Sequence, residues 1–122
     1  MHGVRKTILV IDDDPDTIAL VESALSDSFD CETAYTASDG LQKAITLKPD
    51  LILLDLMLPE MSGFGVMRNL RRKLGRHGIP VVVLTSLVDE EIADEAMGLG
   101  AVGYLSKACK AKELISMVQE YI

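Results

Sequence analysis

The chain has 122 residues and 13.3 kDa, which leaves room for one domain at about 100–200 residues per domain. Apolar residues make up 48% and charged residues 25%, the ordinary globular balance, which excludes a disordered chain. The net charge of −7 excludes nucleic-acid binding by the bulk surface, because phosphate backbones need clustered cations.

In chain order, the first element is the continuous aliphatic run Ile8-Leu9-Val10-Ile11. A helical pattern follows, with Ile18, Val21, Leu25 and Phe29 on one face. Glu32-Thr33-Ala34-Tyr35-Thr36 is polar and alternating, which suits an edge strand. Ser38 is read as the N-cap of a helix carrying Leu41, Ala44 and Ile45. Pro49 stops that element before the second continuous run, Leu51-Ile52-Leu53-Leu54. Phe64, Met67, Leu70 and Leu74 repeat at helical spacing and stop near Gly75 and Gly78. Pro80 precedes a third run, Val81-Val82-Val83-Leu84. Asp89-Glu90-Glu91 opens a helix with Ile92 and Ala96, its acids favourably placed at the N-terminus. The weaker run Val102-Gly103-Tyr104-Leu105 and a last helix through Leu114, Ile115, Val118 and Ile122 complete the pattern.

Continuous aliphatic runs are how strands buried on both faces read. Strand and helix alternate five times, which implies a parallel sheet with right-handed crossovers and helices on both faces. The whole of residues 1–122 is expected to form one α/β domain. Cys31 and Cys109 make no CxxC unit and are too few for a disulfide scaffold, so a reducing, cytoplasmic compartment is expected. No signal peptide is expected at Met1, and no apolar run approaches the ~18 residues of a membrane span.

In a sheet of this kind the ligand site lies beyond the carboxyl ends of the strands. Asp12, Asp13 and Asp14 follow the first run, Asp55 the second aliphatic run, Thr85 and Ser86 the third, and Ser106 and Lys107 the last. Carboxylates that converge repel, by roughly 4 kcal/mol per pair at ~4 Å and an effective dielectric of ~20. Oxygen-only ligands without His or Cys select a hard cation such as Mg²⁺. Lys107 adds a charge suited to phosphoryl oxygens, and Thr85 adds a donor. Together they suit phosphoryl transfer onto a carboxylate.

Four segments carry a specific likeness: Ile8-Leu9-Val10-Ile11-Asp12-Asp13-Asp14-Pro15, the stretch from Pro49 through Asp55 to Gly63, Val83-Leu84-Thr85-Ser86, and Gly103-Tyr104-Leu105-Ser106-Lys107. In this order and spacing the chain resembles the receiver domain of two-component response regulators over essentially its full length. The resemblance implies a flavodoxin-like (βα)5 three-layer sandwich, with strand order 2-1-3-4-5. It implies Asp55 as phosphoacceptor from a sensor histidine kinase or a histidine phosphotransfer protein. It also implies Mg²⁺ held by Asp13, Asp55 and the Met57 carbonyl, with Asp12 holding a metal-bound water. Lys107 would pair with Asp55 and then with the phosphoryl group, and Thr85 would turn its hydroxyl to a phosphoryl oxygen. Tyr104 would then rotate inward and reshape the face formed by the fourth helix, fifth strand and fifth helix. The implied role is a signalling switch rather than a conventional enzyme. Its output would be a downstream effector or output domain, with no direct nucleic-acid or membrane contact. It would be a monomer or a dimer promoted by phosphorylation.

The chain departs from the family at Ala108, where Pro is usual after the strand-five Lys. A cis bond before a non-proline costs ~2.5–4 kcal/mol, so Lys107–Ala108 is expected to be trans. Ser86 is small and leaves phosphoryl access open. Met57 and Leu87 give the site an apolar mouth that cannot orient water, so slow autodephosphorylation is expected.

Several features read more simply. Asp14 and Asp16 are read as a solvated helix start. Gly98-Leu99-Gly100-Ala101-Val102-Gly103 matches GxGxxG literally, but it ends a helix and enters a strand, the reverse of a nucleotide loop. Arg68, Arg71, Arg72, Lys73 and Arg76 complement a helix C-terminus, with partner docking as the sharper alternative. Met97, Met117, Tyr104 and Tyr121 divide between core filling and an outward partner face, and Cys109 reads as an inert small residue. A Thr85-Ser86 hydrolase lacks a His base, since His2 and His77 fall on a terminus and a polar loop. A haloacid-dehalogenase-type phosphohydrolase needs a DxDxT loop that Asp14-Pro15-Asp16-Thr17 misses in spacing. A flavodoxin-like binding module needs a phosphate-cradling first loop, which these acids would repel. A degenerate receiver would lack part of the Asp13, Asp55, Thr85 and Lys107 set.

Overall fold

Aliphatic runs bounded by Pro and polar residues become strands in the computed structural model, which describes residues 5–75, 78–86 and 89–122. The elements alternate strictly: β1 Thr7–Ile11, α1 Pro15–Leu25, β2 Asp30–Ala34, α2 Ala37–Leu47, β3 Leu51–Leu54, α3 Gly63–Leu74, β4 Val81–Thr85, α4 Glu90–Gly98, β5 Gly103–Ser106 and α5 Ala111–Tyr121. His2, Arg76, His77 and Leu87 lie outside the described residues. The five strands are parallel in the order β2-β1-β3-β4-β5, the flavodoxin-like arrangement that the resemblance implies.

The continuous runs are buried on both faces. In β1, Leu9 and Ile11 join one core while Ile8 and Val10 join the other. β3 divides the same way, Ile52 and Leu54 against Leu51 and Leu53. The first core is closed by Ala37 and Ala44 of α2, Val66, Met67 and Leu70 of α3, and Ala96 of α4. The second is closed by Ile18, Val21 and Leu25 of α1 and by Leu114 and Val118 of α5. These two layers and the sheet make the three-layer sandwich. Among the described residues no helix is long and apolar enough to cross a membrane.

Four local expectations shift. The edge strand runs over Asp30–Ala34 rather than 32–36, because Thr7 pairs with Asp30 and Ile11 with Ala34. Tyr35 is left exposed. Thr36, not Ser38, caps α2: its hydroxyl accepts from the Asp39 N–H at 3.1 Å, and the helix begins at Ala37. Phe29 lies beyond α1, whose C-cap is Ser26, yet it is still buried in the second core. α5 ends at Tyr121, so Ile122 is its C-cap rather than part of the helix, while the end of α3 and the start of α4 are as expected. Gly75 takes φ 83° after α3, and Asp89 caps α4 by accepting from the Glu91 N–H at 2.8 Å. α4 ends at Gly98 and β5 starts at Gly103, so the GxGxxG string is a helix stop and turn.

Gly63 is where this frame meets the site, because α3 starts against the loop that follows β3. A Cβ at Gly63 would lie 2.5 Å from Leu56 Cα and 2.8 Å from the Asp55 carbonyl oxygen. Both are backbone atoms, so relief requires the Asp55 loop or the helix to move. Gly63→Ala should therefore destabilise the fold by about 1–3 kcal/mol in urea unfolding. A change within ~0.5 kcal/mol, the range of an ordinary surface substitution, would show that the contact is not tight.

Candidate phosphoryl-transfer site

The carboxyl ends of β1, β3, β4 and β5 bring the predicted residues together. Asp55 follows β3, and its N–H donates to the Ile11 carbonyl at 3.0 Å, continuing the sheet by one bond. The Asp12 N–H donates to the Ala34 carbonyl at 3.0 Å. The Lys107 N–H donates to the Thr85 carbonyl at 2.9 Å, tying the loop after β5 to the end of β4. The main chain thus holds each of these acids and the lysine at its place on the sheet rim.

Asp12 and Asp55 are buried, at 1% and 4% exposure, while Asp13 is open to solvent. One ligand oxygen from each of Asp12, Asp13 and Asp55 lies within 4.8 Å of the others. Lys107 Nζ sits 2.9 Å from Asp55 Oδ2 and 2.9 Å from Asp12 Oδ2. The resemblance implied only the Asp55 pairing, so the second contact is an addition. Remaining carboxylate lone pairs are met by main-chain donors: the Asp14 N–H reaches Asp12 Oδ1 at 2.9 Å and the Met57 N–H reaches Asp55 Oδ1 at 3.1 Å. The Met57 side chain is exposed at the site mouth.

Thr85 is fully buried at the end of β4. Tyr104, opposite Val83 in the sheet register, is half-buried against the core shared with α2, α3 and α4. The Lys107–Ala108 bond is trans, as expected, and the Ala108 N–H donates to Ser106 Oγ at 3.0 Å. Asp14 is a helix cap, as read from the sequence: it accepts from the Asp16 N–H at 3.0 Å and from the Thr17 hydroxyl at 2.9 Å. Those bonds lower its pKa. Burial pushes the Cys109 thiol up, and the Glu113 charge adds to it. Gly63 closes the stretch that carries the likeness, but its steric role against the Asp55 loop had no signal in the sequence.

Burial raises the Asp12 pKa, and the nearby Asp55 charge adds to it, against the lowering effect of the Asp14 N–H and Lys107. Burial works to lower the Lys107 pKa, but its hydrogen bonds to Asp12 and Asp55 carry it above the ordinary lysine value. The lysine's contribution to stability is thus fully present below its unfolded pKa, ~10.4, and is lost as pH rises through the folded value. Asp12 acts in the opposite sense at neutral pH. Its folded pKa lies above the unfolded ~3.9, so stability falls as pH rises through the folded value. Asn at position 12 keeps an acceptor for the Asp14 N–H and has no charge to bury. In a chelator, Asp12→Asn should therefore melt higher than the parent at pH 7, with the advantage shrinking on acidification toward ~pH 4. A lower melting temperature at pH 7, or an advantage that grows with acid, would contradict this electrostatic balance.

The sequence model of the response regulator receiver domain family matches residues 8–119. The DNA-binding response regulator MtrA of Mycolicibacterium smegmatis is 40% identical over 122 residues, covering 98% of this chain and 51% of that protein. The DNA-binding dual master transcriptional regulator RpaA of Synechocystis is 41% identical over 115 residues, covering 92% of this chain and 47% of that protein. The chain therefore spans about half the length of these curated relatives. Among solved structures, the chemotaxis protein CheY4 of Vibrio cholerae superposes with a TM-score of 0.90 at 27% identity, covering 98% of this chain and 100% of that one. A CheY-like response regulator receiver domain protein of Methanospirillum hungatei gives 0.88 at 26% identity, covering 96% and 93%. With its fold, its strand-end residues and these matches in agreement, the chain belongs to the response regulator receiver domain family of two-component signalling.

Proposed function

We propose that residues 1–122 act as one phospho-accepting receiver unit, taking a phosphoryl group onto Asp55 from a histidine kinase or a histidine phosphotransfer protein. The observation that carries this reading is the gathering of Asp12, Asp13 and Asp55 within reach of one cation, beside the partly buried Lys107 ammonium. Three carboxylates against one lysine leave an excess of negative charge that a divalent ion neutralises. The donor set is all oxygen, which suits Mg²⁺, and Asp12, Asp13, Asp55 and the Met57 carbonyl would hold it. When bound, Mg²⁺ supplies charge neutralisation for the carboxylates and for the incoming phosphoryl oxygens.

An Asp55 oxygen forms the new P–O bond as the P–N bond of the phosphohistidine breaks and its electron pair returns to the imidazole. Lys107 is already at Asp55 and keeps its charge beside the added phosphoryl group. Thr85, at the neighbouring strand end, supplies a hydroxyl donor, and Tyr104 follows it inward. The added charge biases a two-state element formed by α4, β5 and α5. That face would engage an effector in a cytoplasmic pathway. The relatives MtrA and RpaA are DNA-binding regulators, which supports an output at promoters through a further domain rather than through this acidic one.

Incubation with acetyl phosphate and Mg²⁺ should add the mass of one phosphoryl group to the chain. The gain should vanish in Asp55→Asn and with chelator. Modification that persists in Asp55→Asn would move the acceptor elsewhere, and no modification would favour a receiver that acts only by docking. Met57 exposes an apolar side chain at the site mouth and cannot orient a water for hydrolysis. Met57→Asn should therefore shorten the lifetime of the phosphorylated form several-fold. An unchanged or longer lifetime would remove the role given to this side chain.

A further inference from the structure

α3 and α4 lie on the same side of the sheet, since Val66, Met67 and Leu70 of α3 share one buried core with Ala96 of α4. Their solvent sides carry opposite and unmixed charge. α3 exposes Arg68, Arg71, Arg72 and Lys73 and contains no acid, in a chain whose net charge is −7. α4 exposes Glu90, Glu91, Asp94 and Glu95 after its cap Asp89 and contains no base. Among the described residues none of these side chains takes part in an ion pair.

The helix dipole explains only part of this. It favours cations at the end of α3 and acids at the start of α4. It does not favour Asp94 at the centre of a nine-residue helix or Glu95 just past it, nor Arg68 in the middle of α3. Like charges also recur at the spacing that brings them together: Arg68 with Arg72, Glu90 with Asp94, and Glu91 with Glu95. Each pair opposes its own helix. Between the two helices runs a shallow cleft lined by Met67, Leu70, Arg71, Met97 and Leu99, with Met97 46% exposed. An exposed methionine in a cleft of mixed polarity, with charged side chains around it, resembles the anatomy of a protein interface.

We propose that a second copy of this chain docks on this face, α3 of each copy lying against α4 of the other. The occupant must present an acidic surface beside a basic one, and this chain does. A nucleic acid, an anionic membrane or a purely acidic peptide drawn to α3 meets the acids of α4 alongside. A two-fold axis running along the helices places α3 over the partner's α4 and α4 over the partner's α3, which closes the pair without leaving a free half. This inference stands on the two helices alone and is independent of the chemistry at Asp55.

Sedimentation of the unphosphorylated chain tests it. The parent should dimerise, with Kd rising about tenfold or more as salt goes from ~0.01 M to ~1 M and the Debye length falls from ~30 Å to ~3 Å. The α3 reversal Arg68→Glu/Arg72→Glu and the α4 reversal Glu91→Lys/Glu95→Lys should each be monomeric alone. Mixed in equal amounts they should form a heterodimer, because each restores the charge the other reversed. A parent that is monomeric at every salt and concentration would overturn the proposal, as would a dimer that both reversals leave intact. Two monomeric variants that fail to pair would overturn it too. So would a monomeric parent retained on duplex DNA or poly-glutamate through α3, which would assign the face to a different partner.

Discussion

The structure turns on one ammonium held between two carboxylates from distant parts of the chain. Lys107 reaches Asp55 across 52 positions of sequence and Asp12 across 95. Without it, the ends of β1 and β3 would place two buried like charges side by side. The lysine can occupy that place because its own N–H is fixed to the Thr85 carbonyl and because β5 is the next strand after β4. Strand order, loop path and site electrostatics are therefore one constraint. The exposed third acid, Asp13, is left over from this balance, and on the proposed reading it is the ligand that a cation would meet first.

Much of the sandwich was legible because β1, β3 and β4 are buried on both sides, and a strand in that position must be aliphatic at every residue. β2 was less legible for the opposite reason. An edge strand that is half polar looks alike at either of two neighbouring boundaries, and its limits come from pairing with β1 and from the hydroxyl of Thr36. The same cap displaced the reading of Ser38. Phe29 kept helical spacing with Leu25 but belongs to the turn that follows α1. At the site, the positions after the strands named Asp12, Asp13, Asp55, Thr85 and Lys107, and the resemblance implied the Lys107–Asp55 pair, while the Lys107–Asp12 contact came into view only with the fold. The contact of Lys107 with Asp12 spans almost the whole chain, and no local pattern encodes it. The steric role of Gly63 was silent as well, since the reason for its missing side chain is the position of another residue's backbone.

The net charge of −7 conceals how unevenly charge is placed. One part is concentrated at the strand ends, where repulsion is offset by Lys107 and leaves room for a divalent ion. Another lies on α4, beside a cationic α3, and among the described residues its acids form no ion pair. On the proposed reading, the first arrangement suits a small divalent ion beside a phosphoryl group on Asp55. The second favours a surface with the complementary arrangement. In both, like charges brought close repel, and an opposite charge lowers that cost.

Whether the three acids and the Met57 carbonyl form one divalent-cation site is read most directly by titrating Mg²⁺ into isotopically labelled protein while following the backbone amides. Saturable shifts centred on residues 12–14 and 55–57 are expected in the parent, with their loss in Asp13→Asn, which removes the solvent-facing ligand while leaving the Lys107 pairs in place. Saturable shifts confined to other residues, no saturation at all, or an unchanged response in Asp13→Asn would contradict such a site.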